Sequence, residues 1–290
     1  MRRYVLTVTC PDRTGIVAAV SGFIAENGGW VLEAAQHGDL STGRFFLRIE
    51  VIAETLPFGP DGFRERFVPV AEEFDMSWHL SDTDIRKRVV ICVSQEDHCL
   101  VDLLYRWRSG DLDCDIPCVI SNHETLRATV EWHGIAYHHV PMPAGHSAIA
   151  DSDRQDAFEE IARIFEEAGG DVMVLARYMQ IIPAALCDRY RGRILNIHHS
   201  FLPSFAGAKP YHQAFERGVK LIGATCHYVT ADLDAGPIIE QDTRRIDHTD
   251  SVDDLLRIGR DIERTVLARG LRWHLEDRVL VNGARTVVFT

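Results

Sequence analysis

The chain has 290 residues, of which 46% are hydrophobic and 26% charged, and its formal net charge at pH 7 is −12. This length fits two domains of an ordinary globular protein. The acidic balance argues against nucleic acid or an anionic membrane surface as the main partner, and no apolar run reaches the roughly 18 residues that a membrane-spanning helix needs.

The first predicted domain, residues 1–82, has the element order βαββαβ. Alternating apolar residues predict a strand at 4–9, and apolar residues at helical spacing predict a helix over 16–26 that ends at the glycines after Asn27. The remaining predicted elements are strands at 31–36 and 43–52, a helix at 63–75 and a strand at 76–80. This order is that of a ferredoxin-like sandwich.

The turn between the first strand and the first helix resembles that of an ACT regulatory domain. The similar residues are Asp12-Arg13-Thr14-Gly15-Ile16-Val17, together with Asn27-Gly28-Gly29. The resemblance implies a homodimer or homotetramer, and an amino-acid effector near this turn. The candidate regulatory residues are Asp12, Arg13, Gly15, Ile16 and Asn27. The alternative is structural, since Asp12 and Gly15 can simply cap the helix and shape the turn.

The second predicted domain, residues 83–290, begins with a continuous apolar run at 89–94 that is typical of a buried parallel strand. Further strands are predicted at 115–121, 137–140, 171–176 and 193–198, and helices at 98–108, 124–133 and 154–167. Such alternation favours a mostly parallel α/β sheet, in which ligands bind beyond the carboxyl ends of the strands. A long helix at 252–271 and a hairpin across Asn282-Gly283 complete the chain.

Two groups of residues bear on cofactors and metals. No G-x-G-x-x-G follows the strand at 89–94 and no Walker A motif occurs, so a dinucleotide cofactor is not expected. Seven cysteines are scattered along the chain, and no second Cys or His pair follows Cys114 and Cys118 at the spacing of a zinc site. We therefore predict no metal, and buried reduced thiols in a cytoplasmic protein.

An amide, an imidazole and a carboxylate lie next to residues that end a strand or force a turn. Asn196 and His198 fall at the end of the strand at 193–198, and alternation puts them on one face with Ile197 pointing into the core. Asp234 lies in a turn before Gly236-Pro237. Taken singly, each has a plain structural explanation. Together they suit attack on a carbonyl-like carbon, because an amide donates to an oxyanion and a histidine moves protons at neutral pH.

Residues 89–245 resemble the folate-dependent formyltransferase fold. The motifs that carry the resemblance are Leu175 to Ile182, Asn196 to Pro203, Gly223 to Val229 and Asp234 to Ile239. The resemblance implies 10-formyltetrahydrofolate as the one-carbon donor and no separate cofactor. It implies Asn196, His198 and Asp234 as catalytic residues. It also implies a folate pocket lined by Tyr178, Met179, Gln180, Ile181, His199, Thr230, Ala231 and Asp232.

Several motifs narrow the resemblance to the formyltetrahydrofolate deformylase family, which hydrolyses the formyl group to formate. They are His199 where purine-synthesising transferases usually carry proline, the Arg177-Tyr178-Met179 triplet, the turn Glu96 to Leu100 and the preceding ACT-like domain. One departure is Ala206, where many members have a lysine before the glycine. Lys209 is the candidate to replace it, and the role of a basic group in this loop stays open.

The expected mechanism assigns a role to Asn196 but leaves alternatives open for His198 and Asp234. Asn196 donates to the formyl oxygen, a contribution on the order of 3 kcal/mol. His198 either stabilises that oxygen or carries a proton to the leaving nitrogen, and Asp234 orients it or accepts a proton from water. We also hypothesise that His199, Tyr211 and the turn 95–100 fill the space of an amine acceptor. The alternatives are a formyltransferase with an amine acceptor and a non-catalytic ligand-sensing homologue.

Overall fold

The computed structural model of the chain describes residues 1–143, 148–202 and 210–290. They divide into two compact units, one of Met1–Arg86 with Glu276–Asn282 and Thr286–Thr290, the other of Lys87–Leu275 with Gly283–Arg285. This division differs from the predicted one, in which everything after residue 82 belongs to the second domain. The C-terminal residues belong to the first unit because their side chains bind there, as when Asn282 Nδ2 donates to Asp39 Oδ2 at 2.6 Å.

The first unit is a four-stranded antiparallel sheet with two helices, in the predicted βαββαβ order. The strand order is β2-β3-β1-β4. Its elements are β1 (Arg3–Pro11), α1 (Ile16–Glu26), β2 (Trp30–Asp39), β3 (Arg44–Ile52), a short 3-10 turn (Ala53–Thr55), α2 (Pro60–Glu73) and β4 (Ser77–Asp82). The resemblance of this unit to an ACT regulatory domain stays a prediction.

The core of the first unit follows from the alternation that predicted its first strand. Leu6 and Val8 of β1 are fully buried, as are Phe63 and Phe67 of α2. Phe23 of α1 meets both phenylalanines edge to face, with ring centroids 5.2 and 5.3 Å apart. Such aromatic contacts add to the burial of apolar area that stabilises a small sandwich.

The second unit contains a seven-stranded sheet in the order β11-β10-β9-β8-β5-β6-β7. Its strands are β5 (Val89–Val93), β6 (Cys118–Ser121), β7 (Ala136–His139), β8 (Val172–Leu175), β9 (Ile194–His198), β10 (Leu221–Tyr228) and β11 (Ile238–Arg245). Its helices are α3 (His98–Ser109), α4 (Arg127–Trp132), α5 (Ala148–Glu167), α6 (Ala184–Arg189), α7 (Pro210–Arg217) and α8 (Val252–Leu275).

Five neighbouring strands of this sheet, in the order β9-β8-β5-β6-β7, are parallel, as predicted. All residues of β5 are buried. The strand order therefore brings the carboxyl ends of β5, β8 and β9 to one sheet edge, where ligands of open α/β sheets bind. The predicted hairpin at Asn282-Gly283 is confirmed, with β12 (Val279–Asn282) paired to β13 (Arg285–Val288) and Gly283 at φ +63°.

Four elements of the second unit have no counterpart among the predicted ones, namely α6, α7, β10 and β11. The strands β10 and β11 extend the parallel sheet with antiparallel pairing. The departure at Ala206 and Lys209 lies outside the described residues. No helix in the described ranges combines the length and apolarity that crossing a bilayer requires.

Candidate active site

The end of β9 presents two polar side chains beside a buried one. Asn196 and His198 are partly buried and Ile197 is 3% exposed, which is the alternation of a strand with one face on the core. The antiparallel neighbour β10 pairs His227 with Asn196 and Thr225 with His198. The polar face of β9 therefore lies against polar groups of β10.

The bend between β10 and β11 carries Asp234 back to this face. Asp234 has a left-handed φ of +53°, a conformation that aspartate adopts more readily than most residues. The bend also requires glycine at position 236, since a Cβ there would lie 1.7 Å from the carbonyl oxygen of Tyr228. The close approach of the two strand ends thus fixes the position of the carboxylate.

His198 and Asp234 form a pair at the end of the sheet. The Nδ1 atom of His198 is 3.3 Å from Asp234 Oδ2, and the aspartate side chain is 29% exposed. A hydrogen bond from His198 lowers the pKa of Asp234 below its ordinary value, so the group is a carboxylate at neutral pH. Because Nδ1 faces the carboxylate, the Nε2 atom of His198 is left for another partner.

His227 is a member of this site that the sequence argument did not assign. It is 2% exposed, and its Nδ1 lies 2.9 Å from the carbonyl oxygen of Tyr228, so Nδ1 carries the proton. Burial lowers the pKa of His227, which favours the neutral ring with a lone pair on Nε2. Asn196 Nδ2 donates to that lone pair at 3.2 Å. The amide of Asn196 is thereby oriented, with its second N–H unengaged by this bond.

One indication of His227 was present in the sequence, because it lies in the motif Gly223 to Val229 that carries the resemblance. Its role depends on the register of β10 against β9, which places it opposite Asn196 and 3.7 Å from Asp234 Oδ1. Without β10 as a predicted strand, that register could not be inferred.

A cavity of about 580 Å³ opens onto these groups. Asn196, His198 and Asp234 all line it. Seven of the eight residues predicted for the folate pocket also line it, namely Tyr178, Met179, Gln180, Ile181, His199, Thr230 and Ala231. Asp232 is not among the described residues that do so. It is exposed, and its carbonyl oxygen accepts from Thr230 Oγ1 at 3.1 Å.

The loop after β8 forms one side of the cavity. It turns at Arg177, which has a left-handed φ of +63°, and Met179 N then donates to Ser94 Oγ at the end of β5. The side chains of Met179 and Ile181 remain 57% and 69% exposed. This apolar rim beside polar groups is what an aromatic ligand with one reactive end requires.

His199 lies flat against His198, with ring centroids 4.9 Å apart and an interplanar angle of 29°. Burial, the charge of Arg177 and the proximity of His198 lower the pKa of His199 to about 4. His199 is therefore neutral near pH 7 and acts there as an uncharged packing surface.

Four of the five candidate regulatory residues lie together at the turn before α1, and the fifth, Asn27, lies apart from them. Ile16 is 2% exposed in the core, and Gly15 starts α1 with φ +101°. Arg13 pairs with Asp75 at 2.9 Å, while Asp12 is exposed. Asn27 lies at the opposite end of the 11-residue helix, about 16 Å away from the turn. A groove of about 450 Å³ in this unit is lined by described residues other than these five.

The sequence profile described as "Formyl transferase" matches residues 87–271. A formyltetrahydrofolate deformylase of Bacillus subtilis (strain 168) is 49% identical over 285 residues, covering 98% of this chain and 93% of the relative. One from Corynebacterium sp. (strain P-1) is 46% identical over 286 residues, covering 99% and 98%.

Solved structures give two levels of similarity. The crystal structure of a formyltetrahydrofolate deformylase from Pseudomonas syringae pv. tomato superposes with a TM-score of 0.96 at 59% identity, covering 100% of this chain and 95% of the other. A glycinamide ribonucleotide transformylase from Symbiobacterium toebii has a TM-score of 0.64 at 29% identity, covering 71% of this chain and 95% of the other. The first similarity extends over both units.

Proposed function

This chain belongs to the formyltetrahydrofolate deformylase family, and on that premise we propose that it hydrolyses 10-formyltetrahydrofolate to tetrahydrofolate and formate. The folate brings the formyl group as substrate, so the proposal includes no further cofactor. The observation that carries it is the convergence of an oriented amide, an imidazole and a carboxylate on one cavity.

The amide of Asn196 acts on the formyl oxygen. Its nitrogen already donates one N–H to the neutral ring of His227, which leaves the second N–H for the oxygen as negative charge develops there. A donor fixed in advance contributes about 2.7–4 kcal/mol at such an oxyanion, because no reorganisation is needed when the charge appears.

The pair of His198 and Asp234 moves the proton. Water attacks the formyl carbon, a C–O bond forms, and the bond from carbon to N10 breaks. Asp234, a carboxylate because its pKa is lowered, accepts a proton from the water, and His198 delivers a proton from Nε2 to N10. The proton on Asp234 then passes to His198, which restores both groups. The second proton of the water is released when the product ionises to formate.

The apolar rim binds the ring system of the folate. Met179 and Ile181 are exposed on one side of the cavity, and Leu233 is 65% exposed near Asp234. Burial of these side chains by an aromatic ring contributes binding free energy of about 25 cal/mol for each Å² removed from water. The reactive end of the ligand then points at the polar groups.

The test is to incubate the protein with 10-formyltetrahydrofolate alone and to quantify both products. We expect tetrahydrofolate and formate in equal amounts, and a strong loss of turnover in Asn196→Ala with the fold retained by circular dichroism. Formyl transfer that requires an added amine would instead support a transferase, and the absence of both products would support a ligand-sensing protein.

We further propose that the first unit is an ACT-like regulatory domain through which chains pair. Its edge strand β2 supports this, since it has ten residues and exposes Trp30 and Leu32 by 65% and 45%. An exposed edge strand is a template for pairing with a second chain. Light scattering should give the mass of a dimer or tetramer, which Leu32→Lys should reduce, and a monomeric parent protein would contradict the proposal. A rise in melting temperature with single amino acids would identify an effector.

A further inference from the structure

A buried group of charged and polar side chains lies beside the cavity, on the side of His199. This group, the Glu263 cluster, consists of His98, Arg177, Tyr211 and Glu263. Arg177 and His199 line the cavity, whereas His98, Tyr211 and Glu263 are not among the described residues that do so. The cluster therefore forms a second layer of the cavity boundary.

Glu263 holds the cluster together. It projects from α8 and is 1% exposed, and three segments of the second unit supply its partners. His98 Nε2 donates to Oε2 at 2.8 Å, Tyr211 Oη donates to Oε1 at 2.8 Å, and Arg177 Nε lies 3.4 Å from Oε2. Burial alone would raise the pKa of Glu263, but the hydrogen bond from His98 and the charge of Arg177 lower it, so the residue is an anion.

This donor set is better suited to an ion-pair cluster than to a metal. Ligand atoms of His98, Cys99 and Glu263 lie within 4.8 Å of one another. Both oxygens of Glu263, however, already accept hydrogen bonds, from His98 and from Tyr211. The guanidinium of Arg177 also already supplies positive charge to the carboxylate.

The position of the Tyr211 ring depends on Gly259, which lies one helical turn before Glu263. A Cβ at position 259 would lie 2.1 Å from the hydroxyl oxygen of Tyr211. The phenol therefore packs directly on the backbone of α8, and its hydroxyl is held by the carboxylate at the next turn. Tyr211 is 7% exposed, so it fills this space and has little room to move.

The ring of His199 lies between Tyr211 of the Glu263 cluster and the catalytic residue His198. Its ring centroid is 6.4 Å from that of Tyr211 and 4.9 Å from that of His198. One edge of His198 thus faces Asp234, and one face of the same ring is covered by His199. The space on that side of the reacting group is occupied by protein.

We propose that the Glu263 cluster determines the specificity for water: by holding Tyr211 and Arg177 against His199, Glu263 closes the space that a second substrate with an amino group would occupy beside the formyl carbon. Glu263 and Tyr211 are positioning residues in this inference, which rests on the proposed hydrolysis. With the space closed, the C–O bond to water forms. With the space open, an amine nitrogen attacks, a formamide forms, N10 receives the amine proton and no water is consumed.

The experiment measures how the formyl group partitions between water and a small primary amine. Glycinamide is added with 10-formyltetrahydrofolate, and tetrahydrofolate, formate and N-formylglycinamide are quantified against an enzyme-free control. Tyr211→Ala removes the ring but leaves Glu263 with His98 and Arg177. The matched variant Tyr211→Phe keeps the ring and removes only the hydroxyl. His199→Ala, which opens the same space from the cavity side, is used if Tyr211→Ala does not fold.

We expect Tyr211→Ala to raise the ratio of N-formylglycinamide to formate by about tenfold or more, and Tyr211→Phe, which keeps the ring but loses the hydrogen bond to Glu263, to raise it by less. A role in stability alone would lower total turnover without changing this ratio. The inference is overturned if folded Tyr211→Ala yields formate only, or if the parent protein formylates glycinamide as readily. A parent protein that releases no formate at all would refute the proposed function instead.

Discussion

Two carboxylates in the second unit each bind a histidine, and their surroundings give them different roles. Asp234 is 29% exposed at the cavity, in a bend with a left-handed φ, and it faces Nδ1 of His198 rather than Nε2. Glu263 is 1% exposed, and both of its oxygens are taken by neighbouring groups. From this comparison we expect that a pair which transfers protons needs access to solvent, whereas a pair that is buried and fully bonded holds neighbouring residues in place.

The largest effect that this comparison predicts is on folding. Glu263→Ala leaves Arg177 buried without this anion and His98 with only Glu96, 3.7 Å from its Nδ1. Loss of one partner from such a buried group costs about 3–5 kcal/mol. Urea denaturation should show this loss in the free energy of unfolding. A change below about 1 kcal/mol, the range of an exposed ion pair, would mean that the cluster is not a buried one in solution.

The next largest effect is on catalysis. In contrast to Glu263→Ala, Asp234→Asn should lower turnover far more than stability. Asp234→Asn removes the carboxylate but keeps the size of the side chain, so kcat for formate release should fall by about 10²–10³-fold. The free energy of unfolding should fall by only about 1 kcal/mol, the contribution of a single partly exposed hydrogen-bonded pair. Retained turnover in this variant would show that Asp234 takes no part in proton transfer.

A smaller effect concerns stability against pH. His199 has its pKa lowered to about 4 in the folded protein, whereas an unfolded histidine titrates near its ordinary 6.5. Between these values the unfolded chain binds more protons, so stability falls as pH is lowered from about 6.5 to about 4, by on the order of 1–3 kcal/mol.

His199→Asn is the control for that dependence, because it removes the titrating ring. Unfolding midpoints should fall less steeply over the same pH range in this variant than in the parent protein. Parallel curves would contradict the assignment of the low pKa to His199.

The smallest effect concerns the orientation of Asn196. His227→Gln retains an acceptor near the amide, although without the fixed lone pair of the neutral ring, and kcat should fall by only about tenfold. His227→Leu leaves the amide nitrogen without this partner, and the loss should be several times larger. Equal losses in the two variants would mean that His227 supports the fold alone.

The parts of the site that the sequence predicted are those set by local pattern. Alternation along β9 put Asn196 and His198 on one face, and a run ending in Gly236-Pro237 predicted the turn that holds Asp234. Continuous apolar runs predicted the parallel strands for the same reason, since strands buried on both faces carry few polar residues.

The parts that were not predicted depend on pairing across the chain. β10 and β11 carry no simple alternation, and the role of His227 follows only from the register of β10 on β9. Glu263 was within reach of the pattern, because it is a charged residue on the apolar face of the helix predicted at 252–271. Its partners are 52 to 165 residues away in sequence, and only the fold brings them together.

Isotope labelling decides whether water, and no amine, attacks the formyl carbon at this site. A single turnover of 10-formyltetrahydrofolate in H₂¹⁸O, with no amine present, should give formate that carries one labelled oxygen, in an amount equal to the tetrahydrofolate released. Unlabelled formate, or tetrahydrofolate formed only when an amine is supplied, would contradict the account.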